Sequence, residues 1–144
     1  MSGGITAGEF ALFGAGVFFL VGLLSGVWKF HHIRTSETHS APVYVDIAHR
    51  ASLMYAFACV LMERFCYGSA LAPNVVWAAL MAPMFFFAFT IGTYIWLGAR
   101  NKTDNQFNEK NFITGFGMWL LIAGEVGGFV VLFGGWVYGG LYPF

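Results

Sequence analysis

Four long apolar runs alternate with short stretches in which charges and turn residues gather. The runs cover residues 10–28, 48–70, 75–97 and 112–138, and each holds 19 residues or more. At ~1.5 Å per residue, helices of that length cross a hydrocarbon core of roughly 30 Å. The pattern predicts an all-α integral membrane bundle of four transmembrane helices, up-down-up-down, forming one domain over residues 1–144. The second run is the least apolar, because Glu63 and Arg64 interrupt it. The connection around Pro73 and Asn74 is short, which predicts a tight hairpin of the second and third helices. Pro83 predicts a kink in the third.

Composition agrees with this pattern. The chain is 58% hydrophobic and 10% charged, against about 25% charged residues in a soluble domain. With zero net charge and a pI near 6.9, it has no electrostatic footprint for nucleic acid. Cys59 and Cys66 lie about 10 Å apart along one helix, too far for a disulfide, and read as buried thiols. The first nine residues have no basic segment, and the apolar run behind them is longer than a signal core, so the first span reads as uncleaved. Lipid-anchor motifs are absent.

Six of the seven Lys and Arg residues (Lys29, Arg34, Arg50, Arg100, Lys102 and Lys110) fall in or beside the first and third connections. The positive-inside rule assigns both connections to the cytoplasm and both termini to the outside, as in a bacterial inner membrane. Trp136, Tyr138, Tyr142 and Phe144 then form an outer aromatic belt. The glycine pairs Gly22/Gly26, Gly124/Gly128 and Gly135/Gly139 predict close helix packing, since small residues let backbones touch where lipid gives no hydrophobic drive.

Polar chemistry concentrates in two zones. Glu125 stands in an otherwise uncharged stretch, where a carboxylate costs roughly 2.5 kcal/mol or more unless it is paired, protonated or facing an aqueous cavity. Arg64 lies ~24 Å along the second span and Glu125 ~20 Å along the fourth, within about a turn in depth. The structural reading is an Arg64–Glu125 ion pair pinning the two helices, with Glu63 near the outer interface. The sharper reading is a proton path or a carboxylate metal site using both glutamates. No histidine lies at that depth, which weighs against a di-iron centre.

The second zone holds all four histidines. His31, His32 and His39 fall in the first connection and read as solvated interface residues. His49 opens the second helix, and Ala56, Val60 and Glu63 follow at offsets of 7, 11 and 14 residues, within about 40° of the same face. Below His49 lies a small-residue surface on which a flat macrocycle can rest. The third helix returns Tyr94 to the depth of His49. As an isolated feature, His49 is either an interface anchor or a ligand.

The stretch SAPVYVDIAH at residues 40–49 resembles the styrene oxide isomerases and the related hydroxylaminobenzene mutases, four-span proteins of similar length. In those families a Pro precedes an Ala-His pair by the interval separating Pro42 from Ala48 and His49, and a Tyr on the third helix follows at a spacing like that to Tyr94. The opening helix, with Leu12, Gly14 and Gly16, is also similar. The resemblance covers about two-thirds of the chain. It implies a helical trimer holding haem b, with His49 as axial ligand and the opposite side of the iron left open; the small-residue face at Ala56 would then lie against the macrocycle. Ferric iron would act as a Lewis acid on an epoxide oxygen, turning an apolar epoxide into a carbonyl compound without external electrons. Tyr94 would hydrogen-bond the reacting oxygen. Two positions depart from the pattern: the family's amide residue is Tyr55 here, and its acidic residue on the third helix falls in the apolar run Phe85, Phe86 and Phe87.

Three functions therefore compete. One is a haem-dependent membrane isomerase acting on an apolar small molecule. Another is a non-catalytic accessory subunit of a larger membrane oxygenase or electron-transfer complex, which suits the absence of soluble mass and the 17 phenylalanines. The third is a small carrier built around Glu125.

Overall fold

The computed structural model describes residues 3–108 and 111–141. They form four helices, α1 (Ala7–Thr35), α2 (Val43–Tyr67), α3 (Pro73–Arg100) and α4 (Met118–Leu141), with no strand among them. Each is long and apolar enough to cross a membrane. Lys110, Tyr142 and Phe144, used above for orientation and the aromatic belt, lie outside the described residues.

Helix boundaries follow local chemistry more closely than hydropathy. α1 opens with a capping box: Glu9 N–H donates to Thr6 Oγ1 at 3.2 Å, and Thr6 N–H donates to Glu9 Oε2 at 2.8 Å. It then runs seven residues past the predicted end at Trp28, because the segment from Lys29 to Thr35 has neither Gly nor Pro to stop it. His31 and His32 are consequently helical, and only His39 sits in the connection, with a left-handed φ of 51°.

α2 begins five residues ahead of the predicted boundary, directly behind Pro42, so His49 lies in the second turn instead of at the helix start. The early turns tolerate charge because Asp46 binds both Lys29 (2.5 Å) and Arg50 (2.8 Å). α3 starts with Pro73 and ends on Asn101 at φ 45°, and it remains one helix through Pro83. Ahead of α4 the chain makes a π-helical turn over Ile113–Gly117, where Gly115 leaves helical geometry with ψ −106°.

The glycines report how the helices meet. A Cβ on Gly22 would lie 2.5 Å from the Leu53 side chain, and one on Gly26 would lie 2.8 Å from the His49 ring. This glycine pair therefore seats α1 on α2. A Cβ on Gly128 would stand 2.5 Å from both the Ala79 carbonyl oxygen and Pro83 Cδ, so the second pair presses α4 onto α3. Gly135 and Gly139 instead admit the connection between α2 and α3, where Ala70 N–H donates to the Gly135 carbonyl at 3.1 Å.

Pairing runs antiparallel throughout. Gly26 meets His49 while Gly8 meets Tyr67, and Tyr44 stacks on Tyr94 while Tyr55 stacks on Phe87. The up-down-up-down order follows. The core is built from small and flexible side chains, among them Ala11, Ala15, Ala56, Met62, Leu80 and Leu132. Large apolar residues such as Phe13, Phe57, Phe85 and Trp119 point outward, as expected where lipid is the solvent.

Candidate functional site

Consecutive residues on a helix are turned by about 100°, so α2 sorts its polar side chains onto separate faces. Tyr44 and Tyr55 differ by eleven residues and share one face to within about 20°. His49 is turned about 120° from Tyr55. The structure uses these faces for different neighbours.

His49 faces α1. Its Nδ1 lies 2.7 Å from the Gly22 carbonyl oxygen, and the missing side chain of Gly26 makes room for the ring. A carbonyl only accepts, so Nδ1 carries the proton, and the tautomer this contact selects has its lone pair on Nε2. Ala56, on the same side of α2, is 3% exposed. The small-residue surface below His49 is thus not the open shelf anticipated for a macrocycle. α1 has docked there, because in lipid small residues serve best as helix–helix contacts.

Tyr55 and Tyr94 come together on the other side. Both line a cavity of about 70 Å³ between α2, α3 and the start of α4, together with Phe89, Thr90, Thr93 and Gln106. Tyr55 stacks on Phe87 with ring centroids 4.1 Å apart. Tyr94 stacks on Tyr44 at 5.8 Å, and the Tyr44 hydroxyl accepts from Gln106 N–H at 2.6 Å. These contacts hold the rings and tie the connection after α3 to the cavity rim. His49 and Tyr94 therefore occupy the same end of the bundle, but within one chain they look into different spaces.

The deep charges are arranged otherwise than as an Arg64–Glu125 pair. Arg64 is 78% exposed, and its Nε lies 3.4 Å from Glu63 Oε2. Face and register both explain this. Arg64 is turned about 180° from Tyr55 around α2. Its neighbour Phe65 packs on Phe129, Phe133 and Trp136, which puts this level of α2 beyond Glu125. Glu125 Oε1 is buried and has no hydrogen-bond partner among the described residues. Its carboxyl is within electrostatic reach of the Tyr55 and Tyr94 phenols, one turn along α4 from Leu121 at the cavity wall. Tyr55 is turned toward Thr90, yet no hydrogen bond of acceptable geometry closes, and Thr90 Oγ1 is also buried without a partner.

The sequence reading missed Tyr44, Thr90, Thr93 and Gln106. A signal existed for three of them. Tyr44 repeats the face of Tyr55, and Thr90 and Thr93 are the polar residues nearest Tyr94 in an apolar helix. Gln106 gave none, since its place depends on how the connection folds back.

Among the described residues no group of three or more His, Cys, Asp or Glu side chains could hold a metal ion by itself. A haem iron makes no such demand, because the porphyrin supplies four ligands and the protein one or two. A neutral imidazole whose Nδ1–H is fixed by a backbone carbonyl is the usual state of a metal-binding histidine. The donor chemistry at His49 therefore fits an axial ligand, and the buried Ala56 does not fit a contact with the macrocycle. The chain matches no family model. No curated protein or solved structure is significantly similar to it.

Proposed function

We propose that this chain is a membrane-embedded haem-b protein, and that it acts as an isomerase converting an apolar epoxide-type molecule to a carbonyl. The observation that carries this reading is the His49 imidazole. Its Nδ1 is anchored on the Gly22 carbonyl in a space opened by Gly26, which orients Nε2 as the one available donor. When bound, ferric haem supplies Lewis-acid polarisation of a substrate oxygen. The chain's own contribution is to fix the tautomer and aim of His49, and to hold Tyr55 and Tyr94 at a largely apolar cavity at the same end of the bundle. Because the two tyrosines and His49 look into different spaces within one chain, this reading assigns the phenols to receiving the substrate. In the proposed orientation the His49 end faces the cytoplasm of a bacterial inner membrane.

The absorption spectrum of the detergent-solubilised protein, expressed with full haem supply, tests this. A Soret band present in the wild type and lost in His49→Ala is the expected result. A colourless, folded wild type ends the proposal.

α4 favours a second reading. Only 6% of its most apolar stretch is buried within the chain, and Gly127, Gly134 and Gly140 face open space. A non-catalytic accessory subunit, covered there by other membrane subunits, would look like this, as would one protomer of a homo-trimer. Co-purification with other chains at fixed stoichiometry supports the accessory role, and a homogeneous homo-oligomer counts against it.

A further inference from the structure

Two buried oxygens without a hydrogen-bond partner, Thr90 Oγ1 and Glu125 Oε1, stand at or beside the cavity between α2, α3 and the start of α4. Thr90 lines it, is only 6% exposed, and its Oγ1 has no partner. Glu125 Oε1, buried on the adjoining turn of α4, is equally unmatched. Among the described residues no Lys, Arg or His lines the cavity. Among the described cations, Arg64 turns outward to Glu63, Lys29 and Arg50 bind Asp46, and Arg100 lies over the Trp96 ring, 4.6 Å from its centroid. Buried acceptors cost free energy unless a donor reaches them, and an ionised carboxyl at such depth is stabilised by a positive counterpart.

The walls suit one. Tyr55, Tyr94 and Phe89 present aromatic rings, and the stacks on Phe87 and Tyr44 fix two of these. Ring faces attract cations, more strongly where water is excluded. The space, about 70 Å³, is large enough for a small polar head.

We propose that this cavity binds the ammonium head of an apolar amine, with Glu125 and Thr90 as its acceptors and the Tyr55 and Tyr94 rings as its walls. The apolar remainder of the molecule lies along Ile113, Met118 and Leu121, which complete the cavity on its α4 side. The site does not involve His49, which faces α1; it shares the Tyr55 and Tyr94 phenols with the proposed function, and removal of His49 separates the two readings.

Isothermal titration of the micelle-solubilised protein with 2-phenylethylamine and with uncharged 2-phenylethanol tests the site. Expected are saturable binding of the amine, about tenfold or more tighter than the alcohol, and a loss of about tenfold or more in Glu125→Gln, as for a hydrogen bond to a charged group. Thr90→Val should weaken amine binding by a smaller factor. Binding should persist in His49→Ala, which separates this site from ligation of the amine by a metal. Equal affinity for amine and alcohol overturns the proposal, as does no saturable amine binding by a wild type that melts cooperatively. If Glu125→Gln does not fold, unchanged amine affinity in Thr90→Val overturns it as well.

Discussion

Adjacent glycines on α4 offer a sharp test of how the bundle is held together. Gly127 has no neighbouring atom where a Cβ would be added, whereas a Cβ on Gly128 would lie 2.5 Å from the Ala79 carbonyl oxygen and 2.5 Å from Pro83 Cδ. Ordinary heavy-atom contacts begin near ~3.5 Å, so Gly128→Ala forces α4 to withdraw by about 1 Å. Neither obstacle gives way easily, since one is helix backbone and the other a proline ring. Gly128, Leu132 and Gly135 are the buried residues of α4, so the withdrawal loosens the stripe by which this helix is attached. Overpacking of this kind costs about 1–3 kcal/mol. Both substitutions gain up to about 1 kcal/mol of helix propensity. Gly127→Ala should therefore be neutral or stabilising, and Gly128→Ala destabilising by about 2 kcal/mol relative to it. Unfolding followed by circular dichroism in a mixed-micelle denaturant series measures both. Two variants within about 0.5 kcal/mol of each other, the spread of indifferent surface changes, would refute the α3–α4 contact as described.

Two further outcomes follow from the polar side chains. Arg64→Ala should shift unfolding by less than about 0.5 kcal/mol, as for an exposed ion pair; a loss of about 3–5 kcal/mol would instead indicate a buried pair with Glu125. Tyr44→Phe removes the acceptor of Gln106 N–H and should cost about 0.5–1.5 kcal/mol. Its signature is faster amide hydrogen exchange at Gln106, and unchanged exchange there would exclude the contact as the tie between α2 and the connection after α3.

Hydropathy and charge determined the number of helices, their alternation and the depth at which His49 and Tyr94 lie. Those properties depend on length and solvent preference, which each segment carries in its own residues. The glycine pairs were legible as close-packing sites for the same reason, but not their partners: α2, α3 and the α2–α3 connection take one pair each. Only the packed bundle decided which face of α2 meets which helix. It turned His49 and Ala56 toward α1, gathered Tyr55, Tyr94 and Thr90 at one cavity with Tyr44 stacked behind Tyr94, and left Glu125 without Arg64. Depth along a helix follows from counting residues. Azimuth and register between helices emerge from the fit of whole surfaces, where a residue's rotation by half a turn separates an ion pair from two unrelated charges.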